Sequence, residues 1–134
     1  MKDHTDITSL ASAVDDIKLM GMTTRIDRAL RLAQKELFAP ENGGRPELQQ
    51  VLILMTDGTQ TKSESAEHPG DIAAEIRKSG ITVIVIGVGD GINHEELDHM
   101  AGGSGKAHTA KSFDELIGSE FIKKIAEESC SEGK

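Results

Sequence analysis

Residues 51–61 read VLILMTDGTQT: five apolar residues in a row, a threonine, an aspartate, then a glycine and two more threonines. An apolar run of this length suits a strand covered on both faces, as in a parallel sheet. In such sheets ligands bind outside the carboxyl ends of the strands, which is where Asp57 falls. Thr24 stands just before the helical pattern that leads into this strand, so its hydroxyl and the Asp57 carboxylate can meet at one rim of the sheet. Oxygen donors around an incomplete shell suit Mg²⁺ or Mn²⁺, which keep bound water and accept a ligand from outside. Two other readings compete. An Asp-Gly pair is a common turn with no further role. Alternatively, Asp57 acts as nucleophile or metal ligand in a hydrolase or phosphotransferase. That chemistry needs a second carboxylate, for which Asp90 at the end of the next strand is the obvious candidate, and no phosphate cradle accompanies it.

Three further patterns resemble sites and fall short of them. GVGDGI (87–92) lies between a strand and a helix, but a dinucleotide fingerprint needs glycine where Ile92 stands. A turn requiring positive φ explains its glycines. GGSGKA (102–107) would be a phosphate loop only with glycine in place of Met100 and a hydroxyl in place of Ala107. HEELDH places His94 and His99 five residues apart; about 500° of helical rotation puts them on different faces, unlike a zinc-binding pair. His4, His68 and His108 are scattered, without metal-ligand spacing.

The elements that must position Asp57 are legible from periodicity. Residues 7–20 carry Ile7, Leu10, Ala11, Val14 and Ile17 on one helical stripe, ended by Gly21. Thr24 is the expected N-cap of a second helix with Ile26, Ala29, Leu30, Ala33 and Leu37 inward. APENGGRPE is loop. DIAAEIRKSG is a helix between the strands QVLILMT and ITVIVIGVG, a βαβ unit with a right-handed crossover expected. NHEELDHMAG is a short helix, KAHTA a short strand, and residues 112–129 a last helix opened by a Ser112–Glu115 capping box. The order is α/β with a parallel, Rossmann-like sheet flanked by helices. Three strands are fewer than the usual five or six. With 134 residues the chain fits one domain. A net charge of −8, no Trp or Tyr and only three Phe speak against nucleic acid as a partner. No window is long and apolar enough to span a membrane, and the first residues carry no signal-peptide pattern.

GMTTRIDRALRLAQKEL, VLILMTDGTQT, DIAAEIRKSGITVIVIGVGD and EELDHMAGG together resemble the von Willebrand factor type A domain in order, spacing and residue type. The wording is most similar to extracellular A domains of cnidarian matrix and adhesion proteins of the coadhesin type. The resemblance implies a non-catalytic, extracellular protein-binding module with a metal-ion-dependent adhesion site. Thr24 would be the site's threonine, five residues before Ala29 in a T-x-[TI]-x-x-A-L pattern, with Thr23 the alternative. Asp57 would be its aspartate. Thr23, Gly58 and Thr59 would form the ligand rim, and an acidic residue of a matrix or collagen-like partner would complete the shell of Mg²⁺ or Mn²⁺. The third part of the site, a D-x-S-x-S loop, does not occur in the sequence; DHTDITS, with Asp3, Thr5 and Ile7, does not fit it. The resemblance therefore implies a partial A domain over residues 1–128, lacking its first strands, with 129–134 as tail or linker. It further implies weak metal binding, an exposed apolar sheet edge open to self-association, and a Cys130 whose disulfide partner lies outside the chain. A metal-independent structural A domain is the alternative.

Overall fold

The computed structural model describes residue 4, residues 6–19, residue 21 and residues 23–131. The elements in order are α1 (Ile7–Asp15), α2 (Ile26–Leu32) continuing into a π turn (Ala33–Leu37), a 3₁₀ turn (Pro40–Asn42), β1 (Val51–Thr56), α3 (Pro69–Lys78), β2 (Thr82–Val88), α4 (His94–Ala101), β3 (His108–Ala110), α5 (Phe113–Leu116) and α6 (Ser119–Ser131). The three strands form a parallel sheet in the order β1-β2-β3. Val51 pairs with Thr82 and Thr56 with Gly87, so the residues after β1 and after β2 emerge side by side at one end.

Strand β2 is buried on both faces, and its alternation divides the core. Val83 and Val85 point to the side packed by α2, α3 and α4, with Leu30, Ile72, Ile76, Leu97 and Met100. Ile84, Ile86 and Val88 point the other way, toward Leu116, Phe121 and Ile125 of α5 and α6. This is the period-2 consequence of strand geometry. Gly87 lets α4 come close: a Cβ there would lie 2.4 Å from Leu97 Cδ1. His108 of β3 is buried, and its Nε2 lies 2.5 Å from the Glu128 carboxylate, tying α6 to the sheet.

Several local expectations are corrected. The π turn carries one extra residue per turn, which rotates the following residues, so Phe38 is buried in place of Leu37; Ala29, earlier in α2, also faces solvent rather than the core. The first helix ends at Asp15, leaving Ile17 beyond it, and its apolar stripe has no covering element among the described residues: Ile7 is 84% exposed and Val14 58%. The capping box does not form. Ser112 makes no side-chain cap, Glu115 instead accepts the Lys111 N–H at 2.6 Å, and the expected single helix divides into α5 and α6. Helix α6 runs on to Ser131 and carries Cys130, which is exposed and makes no disulfide within the chain among the described residues, leaving open the expectation of a partner outside it. Asp3, Thr5 and residues 132–134 lie outside the described residues.

Among the described residues β1 is paired along one edge only, and Ile53 and Met55 are each 49% exposed. The core side bears the stability. Ile76, fully buried, should cost about 2–5 kcal/mol on truncation to alanine. Val14→Ser on α1 should change stability by no more than about 0.5 kcal/mol. Urea denaturation of the two variants checks this; equal losses would place α1 in the core.

Candidate functional site

The residues after β1 turn away from the sheet through Thr56. Its hydroxyl donates to the Gly58 carbonyl at 2.9 Å and accepts the Gly58 N–H at 3.3 Å. Gly58 does not occupy the left-handed region, so this is not a turn that requires glycine at that position. Asp57 is exposed at the tip. The turn after β2 sits against it: a Cβ on Gly91 would lie 2.9 Å from the Asp57 carbonyl oxygen. That neighbouring turn also carries Asp90, exposed, and does bend through positive φ at Gly89 (φ 80°) as GVGDGI predicted.

Thr24 lies on the facing loop. It is not the N-cap of α2; Arg25 holds that position, without a side-chain cap. Thr24 instead joins the post-β1 loop in two hydrogen bonds. Its N–H donates to Thr61 Oγ1 at 3.0 Å, and the Thr61 N–H donates to the Thr24 carbonyl at 2.8 Å. Thr61 thus shapes the rim. Thr23 and Thr59 are exposed beside it.

A polar cluster beneath fixes this pairing. The Asp27 carboxylate is buried, 3% exposed, and takes a bidentate pair from Arg25, Nε at 2.9 Å and Nη2 at 2.7 Å. It also accepts the Glu67 N–H at 3.2 Å. Gln60 completes the clasp. Its Oε1 accepts the Asp27 N–H at 2.6 Å, its Nε2 donates to the Glu67 carbonyl at 2.7 Å, and its own N–H donates to Glu96 of α4 at 3.1 Å. Arg31 adds an outer tie from α2 to Glu67 and to Glu75 of α3, raising its own pKa and lowering theirs. The hydrogen bonds from Arg25, opposing the cost of burial, hold the Asp27 carboxyl near 2, below its ordinary 3.8.

Sequence reading missed Asp27 and Gln60 as site residues, because both look like solvated positions on a helix and a loop. It missed a second grouping as well. His68 and His99 are both exposed, as expected, but they are not apart: their rings meet, with Asp71 alongside. The segment that looked like a phosphate loop is filled internally. The Asp98 carboxylate accepts the N–H groups of Gly105 and Ala107 at 2.9 and 3.3 Å, and these bonds lower its pKa.

Among the described residues no hydrogen bond or ion pair holds the Thr24 hydroxyl or the Asp57 carboxylate. As hard oxygen donors the two fit a divalent cation in kind. In number, two oxygens leave most of a six-oxygen shell to water or to a ligand from outside.

A parallel sheet with helices packed on both faces, its strands linked by helical crossovers, defines a domain of the α/β class. Residues 1–124 match the von Willebrand factor type A domain, and the chain belongs to that family. It is 34% identical over 114 residues to human collagen alpha-5(VI) chain, covering 84% of this chain and 4% of that one. It is 28% identical over 96 residues to human vitrin, covering 72% of this chain and 13% of vitrin. The chain therefore spans a small part of the length of the curated relatives it matches. Among solved structures, proximal thread matrix protein 1 from the mussel byssus, described with a zinc-occupied MIDAS motif, superposes with a TM-score of 0.80 at 30% identity. The match covers 92% of this chain and 30% of the mussel chain.

The Asp27 pair sets an acid limit. Because its folded pKa is depressed, its contribution is whole above about 3.8 and is lost as pH falls toward 2. Asp27→Asn should lower stability at neutral pH by roughly 1.5–3 kcal/mol, the usual worth of hydrogen bonds to a charged group. It should also flatten the fall in stability between pH 4 and 2, as read by urea denaturation across pH; an unchanged acid slope would contradict this role.

Proposed function

We propose that the chain is a non-catalytic protein-binding module of an extracellular matrix or cell-adhesion protein, which engages its ligand through a divalent cation at Thr24 and Asp57. The observation that carries this reading is the pair itself: two exposed oxygen donors, free of protein partners, on loops hydrogen-bonded to each other at the carboxyl end of β1. Thr23, Gly58 and Thr59 form the surrounding rim. The cation is Mg²⁺ or Mn²⁺, matching hard oxygen donors, and an acidic side chain of the partner supplies a further ligand. The relatives named as collagen VI and vitrin, and the mussel protein with its metal-occupied motif, support a matrix setting and a collagen-like or other matrix partner. Among the described residues no helix is long and apolar enough to cross a membrane.

The small donor count favours weak binding by the chain alone, and with it a second reading as a metal-independent structural domain. Isothermal titration with Mg²⁺ separates them. We expect a dissociation constant weaker than millimolar, abolished by Asp57→Ala; a sub-millimolar site that survives Asp57→Ala contradicts the assignment. Ligand binding that persists in EDTA and in Asp57→Ala would favour the structural reading.

The edge of β1 that has no strand partner among the described residues, with Ile53 and Met55 half-exposed beside it, is the surface through which copies of the chain associate in this account, since such an edge presents free N–H and C=O groups. Ile53→Lys should shift sedimentation toward monomer at high concentration; an unchanged distribution would remove the edge from consideration.

A further inference from the structure

His68, Asp71 and His99 each offer one metal-binding atom, and these atoms lie within 4.8 Å of one another. Two elements bring them together. His68 is the N-cap of α3: its Nδ1 accepts the Gly70 N–H at 3.3 Å, which leaves Nε2 as its open nitrogen. Asp71 stands in the first turn of the same helix. His99 comes from the last turn of α4, with Nε2 3.7 Å from Asp71 Oδ1. The two imidazole centroids are 4.8 Å apart.

Gly70 makes this approach available. A Cβ at that position would lie 2.4 Å from both Cγ and Nδ1 of His99, so the ring rests where any other residue would put a side chain. Gly70 has no need of positive φ; it is the space that matters. The imidazole of α4 is thereby seated on the N-terminal turn of α3, beside a second imidazole and a carboxylate.

We propose that His68, Asp71 and His99 bind a transition-metal ion of the zinc class. Two imidazoles and one carboxylate are the donor set of zinc sites that keep an open position, and they discriminate against Mg²⁺, which prefers oxygen throughout. Bond lengths of about 2.0–2.2 Å require the three donor atoms to draw closer than they now lie. All three side chains are exposed, so closing on the ion asks for side-chain adjustment at the surface. Water, or a donor from a partner, fills the fourth position. The ion would clip the N-terminus of α3 to the C-terminus of α4, at the far end of the loop whose other end carries Asp57. This site differs from Thr24 and Asp57 in donor chemistry and does not depend on the reading given to them.

Isothermal titration of the full chain with Zn²⁺, paired with Co²⁺ absorption as a report of nitrogen coordination, tests it. One saturable Zn²⁺ per chain is expected, retained in an excess of Mg²⁺. His68→Ala and His99→Ala should each weaken it at least about tenfold, the smaller end of the cost usual even for residues one shell out from a metal. Gly70→Ala should do the same while circular dichroism shows the fold retained, because only the seat of the His99 ring is lost. His94→Ala, on the same helix, should leave affinity unchanged. The proposal is overturned if Zn²⁺ shows no saturable binding up to millimolar concentration. It is equally overturned if affinity survives in both His68→Ala and His99→Ala, or is lost in Cys130→Ser instead.

Discussion

The buried carboxylate of Asp27 is the constraint from which the rim of this domain follows. A charge this enclosed is tolerable only when paired and fully hydrogen-bonded. Arg25 supplies the pair in a bidentate geometry, and the Glu67 amide takes another lone pair. The Asp27 amide, at the start of α2 where no intrahelical carbonyl is available, is met by Gln60. Satisfying one residue therefore draws the whole segment between β1 and α3 onto the first turn of α2. Thr24 and Thr61 pair because that segment has already been brought alongside them.

The same clasp connects the sheet to its candidate site. The register of β1 against β2 delivers the residues after both strands to one end, but a strand end fixes only its own direction. The position of Thr24 relative to the loop that carries Asp57 depends on contacts made by Gln60 to α2, to the Glu67 carbonyl and to α4. A binding site placed on loops gains precision when those loops are tied to rigid elements, and here three helices take part through α2, α4 and the Arg31 link to α3.

Elements with strong periodicity were legible in the sequence. Strands β1 and β2, helices α3 and α4, and the place of Asp57 at a strand end all followed from apolar runs and their punctuation. What periodicity cannot carry is contact across sequence. The Asp27–Gln60 bond joins residues 33 apart and Asp27–Glu67 joins residues 40 apart, so neither leaves a local signature. The exchange of Leu37 for Phe38 was hidden by a π turn, which changes the helical period without any proline or glycine to announce it. The apolar stripe on α1 is visible in the sequence through Val14, yet amphipathicity says only that a face is apolar, and among the described residues nothing packs against this one. His68 and His99 escaped because their meeting depends on the missing Cβ of Gly70, a property of α3–α4 packing.

The most direct measurement of the central claim is amide hydrogen exchange at Thr24 and Thr61, whose N–H groups are the two donors that join the rim loops. If the Asp27–Gln60 clasp holds those loops together, both amides are protected in the wild-type chain. Both then lose protection in Gln60→Ala, while the amides of β2 keep theirs. Exchange of Thr24 and Thr61 at free-loop rates in the wild type, or protection that survives Gln60→Ala, would contradict the account.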